Sequence, residues 1–223
     1  FRRVLFRSDV AYDKSLPVYT AWDIGYSDDT AIWFYQVTRG EIHVIDFYSA
    51  NGYGVEHYAS VLDGKGYAYA KLGTKPFLWL PHDARAKTFA SGGKSTQEQF
   101  QALGYTSRIT PELSLQDGIQ ALRMALPRMW FDREKCKDGI EALKLYRREW
   151  DSDKKVFRDK PLHDWTSHAA DAARYMALSW RELKPEDKKP EPQWAFKGVG
   201  GGITQTQTLD QMWALTPKRN GRI

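Results

Sequence analysis

The chain has 223 residues, 42% of them hydrophobic, which suits one domain with a real core plus appendages. No apolar run approaches the roughly 20 residues that a membrane-spanning helix needs, and the single cysteine, Cys136, excludes an intramolecular disulfide framework and a thiolate zinc cluster, which points to a reducing compartment. The net charge of +5 resides at the ends: residues 1–16 carry +2, residues 183–223 carry +3, and residues 17–182 balance 22 basic against 22 acidic groups, so bulk charge gives no argument for nucleic acid.

The opening octapeptide, FRRVLFRS, lacks an initiating Met and is too short for a secretory signal. It reads as a translated sequencing adapter, so residues 1–16 are expected to be an artefact plus an interdomain linker, with the natural chain continuing upstream. Three strands are predicted next: Val18 to Ile24, Thr30 to Thr38 and Glu41 to Ser49, the last two joined by an Arg39-Gly40 hairpin turn. Apolar residues at helical spacing (Val55, Tyr58, Ala59, Leu62) predict a helix from Gly54 to Lys71, broken by Gly73-Thr74. Lys75 to His82 reads as a buried strand ending at Asp83. Because it is reached through a helix, it should lie parallel to a neighbour. A polar loop, Ala84 to Lys94, leads to Ser95-Thr-Gln-Glu98, a capping-box pattern opening a short helix to Leu103.

A short strand from Gly104 to Thr110, a helix from Leu113 to Leu126 and a short strand from Arg128 to Phe131 follow. An amphipathic helix is expected over Lys135 to Trp150, a charged hairpin or loop over Asp151 to Lys160, and a closing helix over His163 to Trp180. From Arg181 the composition turns to proline and charge, the mark of a linker. Residues 183–223 are therefore expected to be a flexible linker and tail. Trp22, Trp33 and Trp79 are expected in the core; Trp194 and Trp213 in the tail suit a partner surface.

Three acids occupy comparable ends: Asp23 after the first strand, Asp83 after the parallel strand, and Asp171 in the closing helix. A buried charge is costly unless paired or bound to metal, and hard divalent cations prefer carboxylate oxygens. In the closing helix, residues 164, 168, 171 and 175 share one face, giving the stripe Asp, His, Asp, Tyr. Ala169, Ala170, Ala172 and Ala173 surround Asp171, and small residues let a helix approach a sheet closely. Asp28 and Asp29 are expected to be turn residues.

The set WDIGYSDDTA, WLPHDA and SHAADAARY, in this order and spacing, resembles the nuclease domain of the large terminase subunit of tailed bacteriophages over residues 17–182. The resemblance implies a ribonuclease H-like α/β fold: a mixed sheet, three antiparallel strands then parallel strands, flanked by helices. It implies an endonuclease that cuts double-stranded concatemeric viral DNA during genome packaging with two Mg²⁺ or Mn²⁺ ions. Carried over by position, Asp23, Asp83 and Asp171 match the catalytic, metal-holding acids, with Asp164 and His168 in support. Implied partners are the terminase small subunit and the portal or procapsid, through the tail, in the cytoplasm of a bacterial host. The family's ATPase motor normally precedes the nuclease, but no G-x-x-x-x-G-K-[ST] loop occurs here.

Arg85, Lys87 and Lys94, just past Asp83, are candidates for holding DNA phosphates, which set position without reading sequence. Lys144, Arg147 and Arg148 read as a solvated helix face. Three other readings compete. A non-catalytic packaging or docking module would carry a vestigial site. A resolvase or transposase would keep the metal chemistry on the same fold. An actin-like sugar kinase or chaperone ATPase shares the Asp-x-Gly then Thr pattern but needs a second glycine-rich phosphate loop, which is not evident.

Overall fold

A computed structural model describes residues 10–25, 27–69, 75–87 and 92–181, and separately the backbone of 197–199 and 202–204. Strands β1 (Tyr19–Asp23), β2 (Thr30–Thr38) and β3 (Glu41–Ala50) form the antiparallel half of a six-stranded sheet. Arg39 and Gly40 take φ of 48° and 79°, the doubly positive pair of a tight hairpin turn whose twist matches its strands. Helix α1 (Val55–Lys65) leads to β4 (Phe77–Leu80), which lies parallel to β1. Helix α2 (Thr96–Ala102) leads to β5 (Ser107–Ile109), parallel to β4 at the sheet edge. Helix α3 (Leu115–Ala125) leads to β6 (Met129–Phe131), which joins β3 in parallel at the opposite edge. The order is β5-β4-β1-β2-β3-β6, and the mixed ribonuclease H-like sheet predicted above is present.

Alternation along the strands builds two cores. Tyr19, Ala21, Trp33, Tyr35 and Trp79 face α3, α4 (Lys137–Leu145) and α5 (Trp165–Ser179). Trp22, Ile32, Phe34, Leu78 and Leu80 face α1 and α2 through Tyr58, Leu62 and Phe100. All three tryptophans expected in the core are buried.

Several element ends differ from expectation, each for a local reason. Helix α1 stops at Lys65 rather than Lys71 because Gly66 turns left-handed (φ 66°) and its N–H bonds back to Asp63. Helix α4 stops at Leu145 rather than Trp150. Arg148 belongs instead to strand β7 (Arg148–Asp151), which pairs antiparallel with β8 (Val156–Pro161). Trp150 meets Phe157 edge-on at 4.8 Å, and the Asp151 carboxylate accepts from the N–H groups of Asp153 and Lys154, closing the turn. Aromatic and β-branched residues here favour cross-strand pairing over one more helical turn. His82 lies in a 3₁₀ turn (His82–Arg85) beyond β4 rather than in the strand, and Asp83 follows the strand on the same turn, as expected.

Residues 10–16, expected as linker, lie against the domain. Val10 is buried, and the Gln36 side-chain amide donates to the carbonyls of Asp13 and Leu16. In the tail, Lys197–Val199 and Gly202–Thr204 form an antiparallel pair where a flexible segment was expected. Residues 1–9, the Gly73-Thr74 break, Trp194 and Trp213 lie outside the described residues.

Gly139 on α4 shows how tightly this layer packs. A Cβ there would stand 2.3 Å from the ring of Trp33 and 2.8 Å from Phe47. A methyl group at Gly64 on α1 would meet nothing within 4 Å. Alanine at position 139 should therefore destabilise the fold by about 1–2 kcal/mol, overpacking outweighing the gain in helix propensity. Alanine at 64 should stabilise it by about 0.5–1 kcal/mol. Urea unfolding of both variants checks this; a Gly139→Ala protein as stable as the parent would remove the close-contact account.

Candidate active site

Asp23 inherits its direction from strand alternation: Tyr19 and Ala21 face α5, and Asp23 follows in the same phase. The chain then turns sharply. At Gly25 a side chain would meet the Asp28 carbonyl at 2.5 Å, so this position needs glycine. The Thr30 hydroxyl donates to the Gly25 carbonyl (2.7 Å) and accepts from its N–H (3.1 Å), locking the turn. Asp29 accepts from the Asn51 side chain at 2.8 Å, in keeping with a turn role.

Helix α5 crosses the ends of these strands. Its N-cap is Asp164, whose carboxylate accepts from the Thr166 N–H (2.9 Å) and the Thr166 hydroxyl. Asp164 thus serves the helix backbone rather than reaching toward Asp171. One turn on, His168 donates from Nδ1 to Asp23 Oδ2 at 3.1 Å, linking α5 to β1. Asp171 is clamped by Arg174, whose Nε and Nη2 both donate to Oδ1 at 3.0 and 2.9 Å. In each acid one oxygen is held. Asp23 Oδ1 and Asp171 Oδ2 have no hydrogen bond among the described residues.

Burial holds the Asp23 carboxyl above the usual carboxylate range. The His168 hydrogen bond opposes that rise, and the charges of Asp171 and then Asp83 add to it. His168 is raised as well, chiefly by its hydrogen bond to Asp23 and against the effect of burial, with Asp28 and Asp29 adding their fields. Burial pushes the Tyr175 phenol up to about 12, and Asp23, Asp171 and Asp83 all contribute. The fields of the three acids therefore overlap beyond the ends of the interior strands β1 and β4. They do not yet form a ligand shell: among the described residues, no three His, Cys, Asp or Glu side chains stand close enough to hold one ion. The convergence onto shared cations expected from the sequence is replaced by a gathered but separated trio, Asp23 held by His168 and Asp171 by Arg174.

Asp83 is exposed on the 3₁₀ turn, its side chain unpaired among the described residues. Of the three loop cations, Arg85 and Lys94 are exposed, and Lys87 pairs with Glu98 at 3.0 Å across two exposed side chains. Such a pair is weak and readily exchanged for another anion.

No protein-family model and no curated protein sequence matches the chain. Solved structures do. The large terminase of a thermophilic bacteriophage superposes with a TM-score of 0.59 at 17% identity, over 77% of this chain and 42% of that one. The P22 large terminase nuclease domain gives 0.55 at 15% identity, over 80% and 89%. The nuclease domain of the large terminase g2p of bacteriophage SPP1, solved with bound Mn, gives 0.52 at 11%, over 79% and 95%. The chain has the fold of the large-terminase nuclease domains. It spans less than half of the thermophilic phage's large terminase.

Sequence reasoning missed Arg174 and Gly118. The signal for Arg174 was an acid–base pair at i,i+3 on the closing helix. That spacing is common on solvated helices, and only the packing shows that this arginine is buried. Gly118 on α3 makes room for it: a Cβ there would lie 3.0 Å from Arg174 Nη1. Asp171 keeps about a quarter of its side chain exposed, which discounts the worth of the pair. Arg174→Ala should cost about 1–3 kcal/mol of stability. In a double-mutant cycle with Asp171→Asn the two losses should be less than additive. Losses that add within experimental error would mean the fork contributes nothing beyond its packing.

Proposed function

We propose that this domain is a metal-dependent endonuclease that cuts double-stranded DNA, acting on concatemeric viral DNA during genome packaging. The observation that carries the reading is that Asp23, at the end of central strand β1, Asp83, just past the adjacent β4, and Asp171, on the helix packed against β1, lie near enough for the charges of Asp83 and Asp171 to act on Asp23. The fold shared with terminase nuclease domains supports it, as does the Mn bound by the SPP1 domain.

The donor set suits a hard divalent cation: carboxylate oxygens from three acids, with Asp23 Oδ1 and Asp171 Oδ2 unengaged and Asp83 unpaired among the described residues. Asp23, Asp83 and Asp171 would hold the ions, Mg²⁺ or Mn²⁺, two in number. When bound, such ions activate a water and stabilise the leaving oxygen of a phosphodiester. His168 fixes one oxygen of Asp23 and, when protonated, offsets its charge. Arg174 fixes one oxygen of Asp171. Together they hold Asp23 and Asp171 in place when no cation is present. Arg85, Lys87 and Lys94 lie downstream of Asp83 and would take backbone phosphates, giving affinity with little sequence preference. The partners assigned here are duplex DNA, an upstream ATPase domain, the terminase small subunit and the portal or procapsid, in the bacterial host cytoplasm.

Supercoiled plasmid should be nicked or cut with Mg²⁺ or Mn²⁺ and left intact with chelator. Asp83→Ala, a change at an exposed side chain, should fold normally and reduce cutting to background. His168→Ala should slow it by about 10–100-fold, the usual effect of losing a partner that orients a metal ligand. Full-rate cutting by Asp83→Ala would remove that residue from the mechanism. A parent protein that binds DNA and Mn²⁺ without cutting would leave a docking module in place of a nuclease.

A further inference from the structure

The strand that ends in Asp23 also borders an open cleft of about 830 Å³ on its other face. Asp23 points toward α5, whereas Trp22 and Ile24, its neighbours in sequence, line this cleft between the start of α1 and helix α2. The volume falls in the range of small-molecule sites. Its floor is aromatic: Trp22 lies 5.1 Å from Phe100 and 5.9 Å from Tyr58, all edge-on. At its mouth Tyr53 is half exposed, yet its ring is not loose. It stacks on His57 at 3.8 Å with the planes 13° apart. Gln99 lines the wall, and Lys94 stands on the same lining as an exposed cation.

This chemistry selects its occupant. Inside the cleft a phosphate would meet apolar rings and the Glu56 carboxylate, with Lys94 as the one cation among the lining residues, in keeping with its proposed role of holding a backbone phosphate beside the base. A flat heteroaromatic ring would stack on the half-exposed Tyr53 and rest on the apolar floor, and a Gln side chain offers both a donor and an acceptor to a base edge. The cleft adjoins Gly25 and Thr30, the turn that positions Asp23. A base entering it would belong to a strand passing the acids.

We propose that this cleft binds an unpaired nucleobase of the DNA strand whose backbone lies at Asp23, a reading that rests on the nuclease assignment. Duplex DNA cannot offer its bases to such a cleft without opening, so the site favours a frayed or single-stranded end over an intact helix. The cost of opening is least where the strand is already unpaired. The acids then address the phosphate on one side of β1 while the cleft holds the base on the other.

The test uses the full chain with chelator present, so that nothing is cut. A duplex with a short single-stranded overhang containing 2-aminopurine is compared with the same duplex whose overhang is abasic, and with a blunt duplex. The base-carrying overhang should bind about tenfold more tightly than the abasic one, the scale of one base–aromatic stack, and its fluorescence should be quenched. Tyr53→Ala and Gln99→Ala should each remove most of that advantage and leave blunt-duplex binding and thermal stability unchanged. Equal binding of abasic and base-carrying overhangs, or a preference that survives Tyr53→Ala, overturns the proposal. Displacement of the overhang by free dAMP at matched base concentration also overturns it, reassigning the cleft to a free nucleotide. A base preference that is present and Tyr53-dependent in a protein that never cuts with metal sustains the cleft and fails the nuclease reading instead.

Discussion

The hydrogen bond from the Trp33 indole to the Ala169 carbonyl, 2.8 Å long, decides the register of helix α5 on the sheet. Trp33 is fully buried in the middle of β2, and Ala169 lies one residue past His168. A buried indole N–H without a partner is costly, so the helix cannot slide along the sheet without losing that bond. Ala170, Ala172 and Ala173, fully buried, allow backbone and sheet to approach closely enough for the bond to form. Along the benzo edge of the same ring, Gly139 lets α4 close against it. His168 and Asp171 then have no freedom of position: they stand where the Trp33–Ala169 contact puts them, opposite Asp23.

That placement runs against stability. Three carboxylates act on one another beyond the ends of β1 and β4, and burial already disfavours the ionised form of Asp23. The fold answers with hydrogen-bonded basic side chains of its own, His168 on Asp23 and Arg174 on Asp171, rather than by dispersing the acids. Each of them binds one carboxylate oxygen only. The arrangement is tolerable without a bound metal ion and still presents oxygen ligands to one. A purely structural ion pair would gain more by engaging both oxygens, as arginine readily does. The single-oxygen fork of Arg174 is therefore better understood as holding Asp171 in place than as neutralising it.

Much of this was legible in the chain. Period-two alternation located β1 to β3, the Arg39-Gly40 turn fixed their hairpin, and Ser95 with Glu98 announced the capping box, which forms with both its hydrogen bonds. Asp23 and Asp83 stood out because a carboxylate just past an apolar run needs explanation, and Asp171 because it is an acid set among alanines in a helix; their role as metal ligands belongs to the proposal. What the pattern could not carry was tertiary. The residues after Leu145 keep helical spacing, and only the pairing of Trp150 with Phe157 makes them a strand. The role of Arg174 depends on burial by α3, which no local signal encodes. Asp164 shows that an acid just before a helix is also a cap, a role its position alone announces.

One consequence of strand geometry ties the site to the cleft beyond it. Successive side chains of a strand point to opposite faces, so a chemical group at position 23 forces its neighbours at 22 and 24 to the other side. On the α5 face the strand end meets small residues and charge; on the α1–α2 face it meets Trp22, Tyr58 and Phe100. Both faces of β1 are apolar along most of its length, and only at its end do they part, with Asp23 among polar partners on one face and Trp22 among aromatic rings on the other. A polyanion with aromatic bases has the same division built into every nucleotide. A strand end that separates charge from aromatic surface by a single residue matches that division at the scale of one nucleotide.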